Sequence, residues 1–317
     1  MKKKENRVSI LGQYQNGNYS VTILSDGTKI RENDLDFFDA EFPESMDIKI
    51  TNACDIGCPM CHEDSRPDGK HGDILNLPFL DSLHEFTELA IGGGNPLSHP
   101  DFIQFLHLLK ERKLIANVTV NEVHFLKNIP LLLELTERGF IYGLGISYTG
   151  GDRESTYRFA DEVSKFPNAV IHIINGIVSM EQVSWLSERN RELKILILGY
   201  KDFRRGADHH IKVGQIVDNK MHDMYEYLPQ IIKNGWFKTI SFDNLAISQL
   251  DVKRLMSEEE WKIFYMGDDG REGELSSASM YVDAVSGQFA RNSCSTERFP
   301  VTNNITEMFQ FLKTKEE

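Results

Sequence analysis

Ile48-Lys-Ile-Thr-Asn-Ala-Cys54-Asp-Ile-Gly-Cys58-Pro-Met-Cys61-His62 sets a short apolar run against three cysteines spaced C-x3-C-x2-C. The run over 46–50 reads as a strand, which puts the thiols on the loop leaving its C-terminal end. The chain of 317 residues holds four cysteines, three of them crowded into this segment, and such crowding favours metal or catalytic use over disulfides. Thiolates are the usual ligands of iron–sulfur clusters, and one close-spaced loop can wrap several irons of one cube. Two other readings stand beside that one. Cys58-Pro-Met-Cys61-His62 matches the C-x-x-C-H pattern of haem attachment, and the thiols with His62 or a distant group suit a structural zinc.

Working outward, short apolar strands alternate with helix-length segments, the pattern of parallel β/α units. Strands are expected over 46–50, 88–91, 116–120, 142–147, 169–174 and 193–198, with helices over 78–86, 100–112, 129–138, 153–165 and 180–191. Upstream, 8–11, 19–24 and 29–31 read as strands of a meander, turned at Asn16-Gly17-Asn18 and Asp26-Gly27. Downstream, 201–212 reads as a basic and polar loop, 221–234 as a helix and 238–242 as a strand. Residues 279–285 and 288–290 suggest a hairpin, and 306–313 a last helix. The expected fold class is α/β, a partial (β/α)6 TIM-like barrel over 46–212. A small N-terminal β meander with its connector covers 1–45, and a C-terminal α+β extension covers 213–317.

The cysteine spacing after the first barrel strand resembles the signature of the radical S-adenosylmethionine superfamily. That resemblance implies a 4Fe-4S cluster held by Cys54, Cys58 and Cys61, with its fourth iron left for the amino and carboxylate groups of S-adenosyl-L-methionine. Reductive cleavage of that cofactor to a 5′-deoxyadenosyl radical, and hydrogen abstraction from a substrate, are the implied activity. An electron donor such as flavodoxin or ferredoxin is the implied partner. Gly92-Gly93-Gly94-Asn95 resembles the family's GGE motif, with Asn95 in the glutamate's position. Successive glycines expose bare backbone to a ligand. Ser147 at the end of the fourth strand and Ile177 after the fifth resemble further cofactor-contacting positions.

On the substrate side, Lys201, Arg204 and Arg205 at the mouth of the sixth strand could clamp a carboxylate or phosphate, or simply face solvent. The segment from Met280 to Cys294, with Asn304-Ile305-Thr306 beyond it, resembles a degenerate SPASM or twitch extension. It lacks the cysteines for a second cluster, so Cys294 stands alone as a packing residue or as a hydrogen donor to a substrate radical.

The formal net charge of −13 argues against general nucleic-acid binding. The first residues, MKKKENRV, lack the apolar stretch of a signal peptide, and no run approaches the roughly 18 apolar residues of a membrane span. A cytoplasmic radical enzyme with a peptide or protein substrate is expected. A small anionic or nucleotide-derived substrate, or a zinc-stabilised interaction protein, are the alternatives.

Overall fold

The computed structural model describes residues 8–35, 37–265 and 278–315. Strands β1 (Ile10–Asn16), β2 (Tyr19–Leu24) and β3 (Lys29–Glu32) form an antiparallel sheet. Its inward residues Tyr14, Tyr19, Val21 and Ile23 are buried while their neighbours are not, the period-two pattern of a one-sided sheet. Glu44 staples this meander to the rest. Its buried carboxylate accepts from the Tyr19 hydroxyl and from Arg31 and pairs with Lys29 at 3.1 Å, and Lys29 also reaches Glu88 at 3.0 Å.

The second sheet is large and mostly parallel. Its strands are β4 (Ser45–Thr51), β5 (Glu88–Gly93), β6 (Ile115–Asn121), β7 (Gly143–Tyr148), β8 (Ala169–Ile174), β9 (Lys194–Leu198), β10 (Thr239–Phe242), β11 (Ser279–Asp283), β12 (Gln288–Ala290) and β13 (Phe299–Pro300). They lie in the order β10-β9-β8-β7-β6-β5-β4-β11-β12-β13. The six expected strands occupy consecutive places, β4 to β9. The parallel run does not stop with them, because β10 adds beside β9 and β11 pairs parallel with β4 on the other side. Among the described residues the sheet remains an open ladder, with β12 and β13 adding antiparallel at one edge.

Helices α1 (Phe102–Glu111), α2 (Glu122–Lys127), α3 (Ile129–Glu137), α4 (Arg153–Val163) and α5 (Met180–Arg189) link the strands. Their buried residues, among them Phe105, Leu109, Phe125, Phe159 and Leu186, share one core with Ile48, Ile91, Val118, Ile146, Ile171 and Ile195 from alternate strand positions. One face of the sheet is thus covered by helices. The other face carries Asp47, Lys49, Asn117, Gly145 and His172, which alternate with those core residues. The long helix α6 (Arg205–Lys233) follows β9, and α7 (Asn244–Gln249), α8 (Glu258–Tyr265) and α9 (Ile305–Lys315) complete the chain.

Two expectations need correction. The helix over 78–86 is only a 3-10 turn at Leu80–Ser82, where the Ser82 hydroxyl bonds the Phe79 carbonyl and Phe86 takes a φ of 70° that ends any helix. The basic stretch over 201–212 is not all loop, because α6 already begins at Arg205 and continues across a break at Val213. Its polar composition reflects a solvated helix face, which lacks the apolar stripe that sequence patterning detects. Helices α2, α7 and α8 were not anticipated. No described helix is long and apolar enough to cross a membrane.

Candidate functional site

The site grows from the end of β4. Thr51 fixes the exit, its hydroxyl accepting from the Ala53 amide at 2.9 Å and meeting His71 Nδ1 at 2.9 Å. The loop then closes on itself. The Cys54 amide donates to the Arg66 carbonyl at 2.9 Å, the Arg66 amide to Asn52 at 3.0 Å, and the Cys61 amide to Cys58 at 3.2 Å. Cys54, Cys58 and Cys61 are half-buried free thiols on this loop. Burial, then the nearby charges of Cys61 and Cys54, push the Cys58 thiol up to about 11, and the Cys54 thiol is raised by burial as well. Three mutually interacting, partly desolvated sulfurs suit a cationic metal centre, which draws the protons off. The donor set therefore fits an iron–sulfur cluster with three cysteine ligands.

His124 enters from α2, which the Asn121 side chain caps by accepting from the Val123 amide. It is buried, and its Nε2 lies 2.6 Å from Asp55 Oδ1. The ligand atoms of Cys54, Asp55 and His124 all lie within 4.8 Å of one another. His124 and Asp55 were missed by the sequence reading, because residues so far apart in the chain give no local spacing signal.

The glycine run has a division of labour. A Cβ on Gly94 would stand 2.3 Å from the Ala53 carbonyl oxygen, and one on Gly93, at φ +109°, would stand 2.4 Å from the Thr51 oxygen. The Gly94 amide donates to Thr51 at 2.7 Å and the Asn95 amide to Ala53 at 2.7 Å. Gly93 and Gly94 thus let β5 dock onto the base of the cysteine loop. Gly92 meets nothing within 4 Å and keeps bare backbone open on the inner face. The Asn95 side chain caps the 3-10 turn Pro96–Ser98, accepting from the Leu97 amide. Ser147 lies at the inner face near the end of β7, and the Ile177 carbonyl accepts from Lys220 on α6.

Lys201, Arg204 and Arg205 all engage the cysteine loop or its surroundings. Lys201 Nζ lies 3.3 Å from His62 Nε2 and donates to Ser293 at 3.0 Å. Arg204 donates to the His62 carbonyl at 3.0 Å, and Arg205 donates to the Ser65 carbonyl at 2.6 Å and pairs with Asp64 at 3.2 Å. These contacts join the loop after β9 to the loop after β4, five places apart in the sheet, so the sheet curls about its inner face. Glu63 lies between Lys49, His62 and Arg204 at 2.8, 3.4 and 3.7 Å. Burial alone would push its carboxyl up, but the His62 hydrogen bond and the charges of His62 and Lys49 hold it well below the usual carboxylate range. Lys49 also reaches Asp283 of β11 at 3.4 Å. Cys294, beside Ser293, is exposed, which removes the packing role. The signal for Lys49 lay in the sequence, as one of two charges, with Asp47, that alternate with the apolar residues of the strand.

No protein-family profile matches the chain, and no curated protein matches it in sequence. Solved structures do resemble it. SuiB of Streptococcus suis bound to the precursor peptide SuiA aligns at a TM-score of 0.52 with 15% identity. SuiB bound to S-adenosylmethionine aligns at 0.52 with 14% identity, and a further SuiB crystal structure at 0.50 with 15%. Each alignment covers 85% of this chain and 64% of SuiB, so the chain spans less than two thirds of SuiB's length. At this identity the likeness establishes a shared fold.

Proposed function

We propose that the chain is a radical S-adenosylmethionine enzyme acting on a peptide. The observation that carries the reading is the C-x3-C-x2-C loop at the C-terminal end of β4, in a fold shared with a protein crystallised with S-adenosylmethionine and with a precursor peptide. When bound there, a 4Fe-4S cluster held by Cys54, Cys58 and Cys61 would, with S-adenosylmethionine, supply the radical chemistry for hydrogen abstraction from substrate.

The chain's own residues hold and orient. Cys54, Cys58 and Cys61 supply three thiolates. Asp64, Ser65 and the His62 carbonyl are gripped by Arg204 and Arg205, which fixes the outer side of the loop. Gly93 and Gly94 seat β5 against its base, and Gly92 and Ser147 offer backbone and hydroxyl to the cofactor from the inner face. The exposed Cys294 thiol is available to return a hydrogen atom to a substrate radical, and loss of solvent deuterium from the product of Cys294→Ser would support that role. Electrons come from a small reductant protein such as flavodoxin or ferredoxin.

The grouping of Cys54, Asp55 and His124 favours a second reading, a mononuclear zinc site. Elemental analysis of anaerobically purified and reconstituted protein separates the two. About four irons and four sulfides per chain support the cluster. One zinc that withstands reconstitution, with no bound iron, overturns it.

A further inference from the structure

The cysteine loop is tied down at its two ends and almost nowhere between them. Its far end is gripped from α6, where Arg204 and Arg205 reach His62, Asp64 and Ser65. Its near end is pinned by the Cys54 amide on the Arg66 carbonyl. Of residues 55–60, Asp55 alone makes a hydrogen bond or ion pair outside the loop among the described residues, and its partner is His124, 2.6 Å away. The rest of that stretch has little to restrain it. Asp55, Gly57 and Pro59 are exposed, and a Cβ on Gly57, at φ 68°, would meet nothing within 4 Å.

The other half of the pair is rigid. His124 precedes Phe125, which is wholly buried with its ring against Phe159 and Phe166. Asn121 caps the start of the same helix, and the Asn128 side chain donates to the His124 carbonyl at 2.8 Å. His124 is only 3% exposed, so the Asp55 carboxylate also satisfies a buried ring nitrogen. The contact acts beside a sulfur, because the ligand atoms of Cys54, Asp55 and His124 lie within 4.8 Å of one another. A fixed side chain on a packed helix thus holds a mobile chain at the residue after Cys54. Ligands held in place before the metal arrives spare the ordering that binding would otherwise require, and partners one step beyond the ligands tune such sites.

We propose that His124 is a positioning residue for the cluster: through Asp55 it fixes Cys54, so that this thiol is in place before iron arrives. The loop is then held from two sides, by α2 at Cys54 and by the start of α6 beyond Cys61. The purpose of the hold rests on Cys54 being a ligand of the proposed cluster.

Iodoacetamide labelling of the full chain before reconstitution, read cysteine by cysteine by mass spectrometry, tests the hold. His124→Ala should label Cys54 at least about fivefold faster than the wild type, as expected for loss of one hydrogen bond to a charged group, while Cys61 stays within about twofold. Asp55→Ala should match it, and the double variant should exceed neither, because the two residues act as one pair. His124→Gln, whose side-chain amide can still donate to Asp55, should recover most of the wild-type rate. After reconstitution, iron release to a chelator should follow the same order. An unchanged Cys54 rate, equal acceleration of all three loop cysteines, additive effects of the two substitutions or no recovery in His124→Gln overturns the proposal. Should His124→Ala lose the native circular dichroism, the exposed Asp55→Ala carries the comparison, and no acceleration at Cys54 there overturns it equally. A Cys54-selective effect in a protein that takes up no iron would retain the hold and reject the cluster, whereas iron uptake without that effect would do the reverse.

Discussion

Lys49 Nζ lies 2.8 Å from a carboxylate oxygen of Glu63, joining the first strand of the parallel sheet to the residue two places past Cys61. Both side chains are buried, and Asp283 of β11 shares the same ammonium at 3.4 Å. One cation therefore ties the cysteine loop to the strand that precedes it and to the C-terminal hairpin. Removing the ammonium leaves Asp283 without its cation and Glu63 with only His62 and Arg204.

Lys49→Met should cost about 3–5 kcal/mol of stability, since buried Asp283 would lose its ammonium and Glu63 would keep only His62 and the more distant Arg204. Urea unfolding measures the loss, and thiol titration should find the three loop cysteines reacting faster than in the wild type. Unchanged unfolding and thiol reactivity would mean that the network carries no strain of the loop.

Gly94→Ala and Gly92→Ala should part company. The first forces a Cβ against the Ala53 carbonyl and should destabilise the fold by about 1–3 kcal/mol. The second meets open space and should melt with the wild type while weakening S-adenosylmethionine binding in equilibrium dialysis. Equal melting of both variants would remove the packing account.

Much of this site was legible in the sequence, for reasons particular to each part. The cysteine spacing and the strand before it are local signals, and the six strands β4 to β9 emerged from apolar runs between helix-length segments. The sheet's continuation was not readable, because pairing of β11 with β4 joins residues more than two hundred positions apart. Lys201, Arg204 and Arg205 were recognised as cations at a strand end, yet their partners His62, Ser65 and Asp64 belong to another loop that only the curl of the sheet brings near. Sequence gives a residue's chemistry and leaves its partner open.

Glu44 should make stability pH-dependent. Although burial would raise its carboxyl, Lys29, Arg31 and the Tyr19 hydroxyl hold it below the usual carboxylate range. A lowered folded-state value means that this stabilisation is complete above the unfolded carboxylate value of about 4.3 and fades as the pH falls toward the folded one. Wild-type melting should therefore drop on acidification, and Glu44→Gln should melt lower at pH 7 with a smaller acid-induced drop. Parallel pH profiles of the two proteins would contradict this.

Arg205→Gln should make the reduction potential of the reconstituted cluster more negative. The guanidinium contacts the cysteine loop through Ser65 and Asp64, and removing a positive charge near an anionic cluster disfavours its reduction. An EPR-monitored redox titration reads the shift, and Arg205→Lys, which retains the charge, should recover most of it. A potential equal to wild type in the glutamine variant would restrict Arg205 to holding the loop.

The most direct measurement is formation of 5′-deoxyadenosine by anaerobic, reduced, reconstituted protein supplied with S-adenosylmethionine, compared with Cys54→Ala, Cys58→Ala and Cys61→Ala. The account predicts 5′-deoxyadenosine from the wild type and none above background from any of the three variants. Wild-type protein that binds iron yet releases no 5′-deoxyadenosine, or a cysteine variant that releases as much as the wild type, would contradict it.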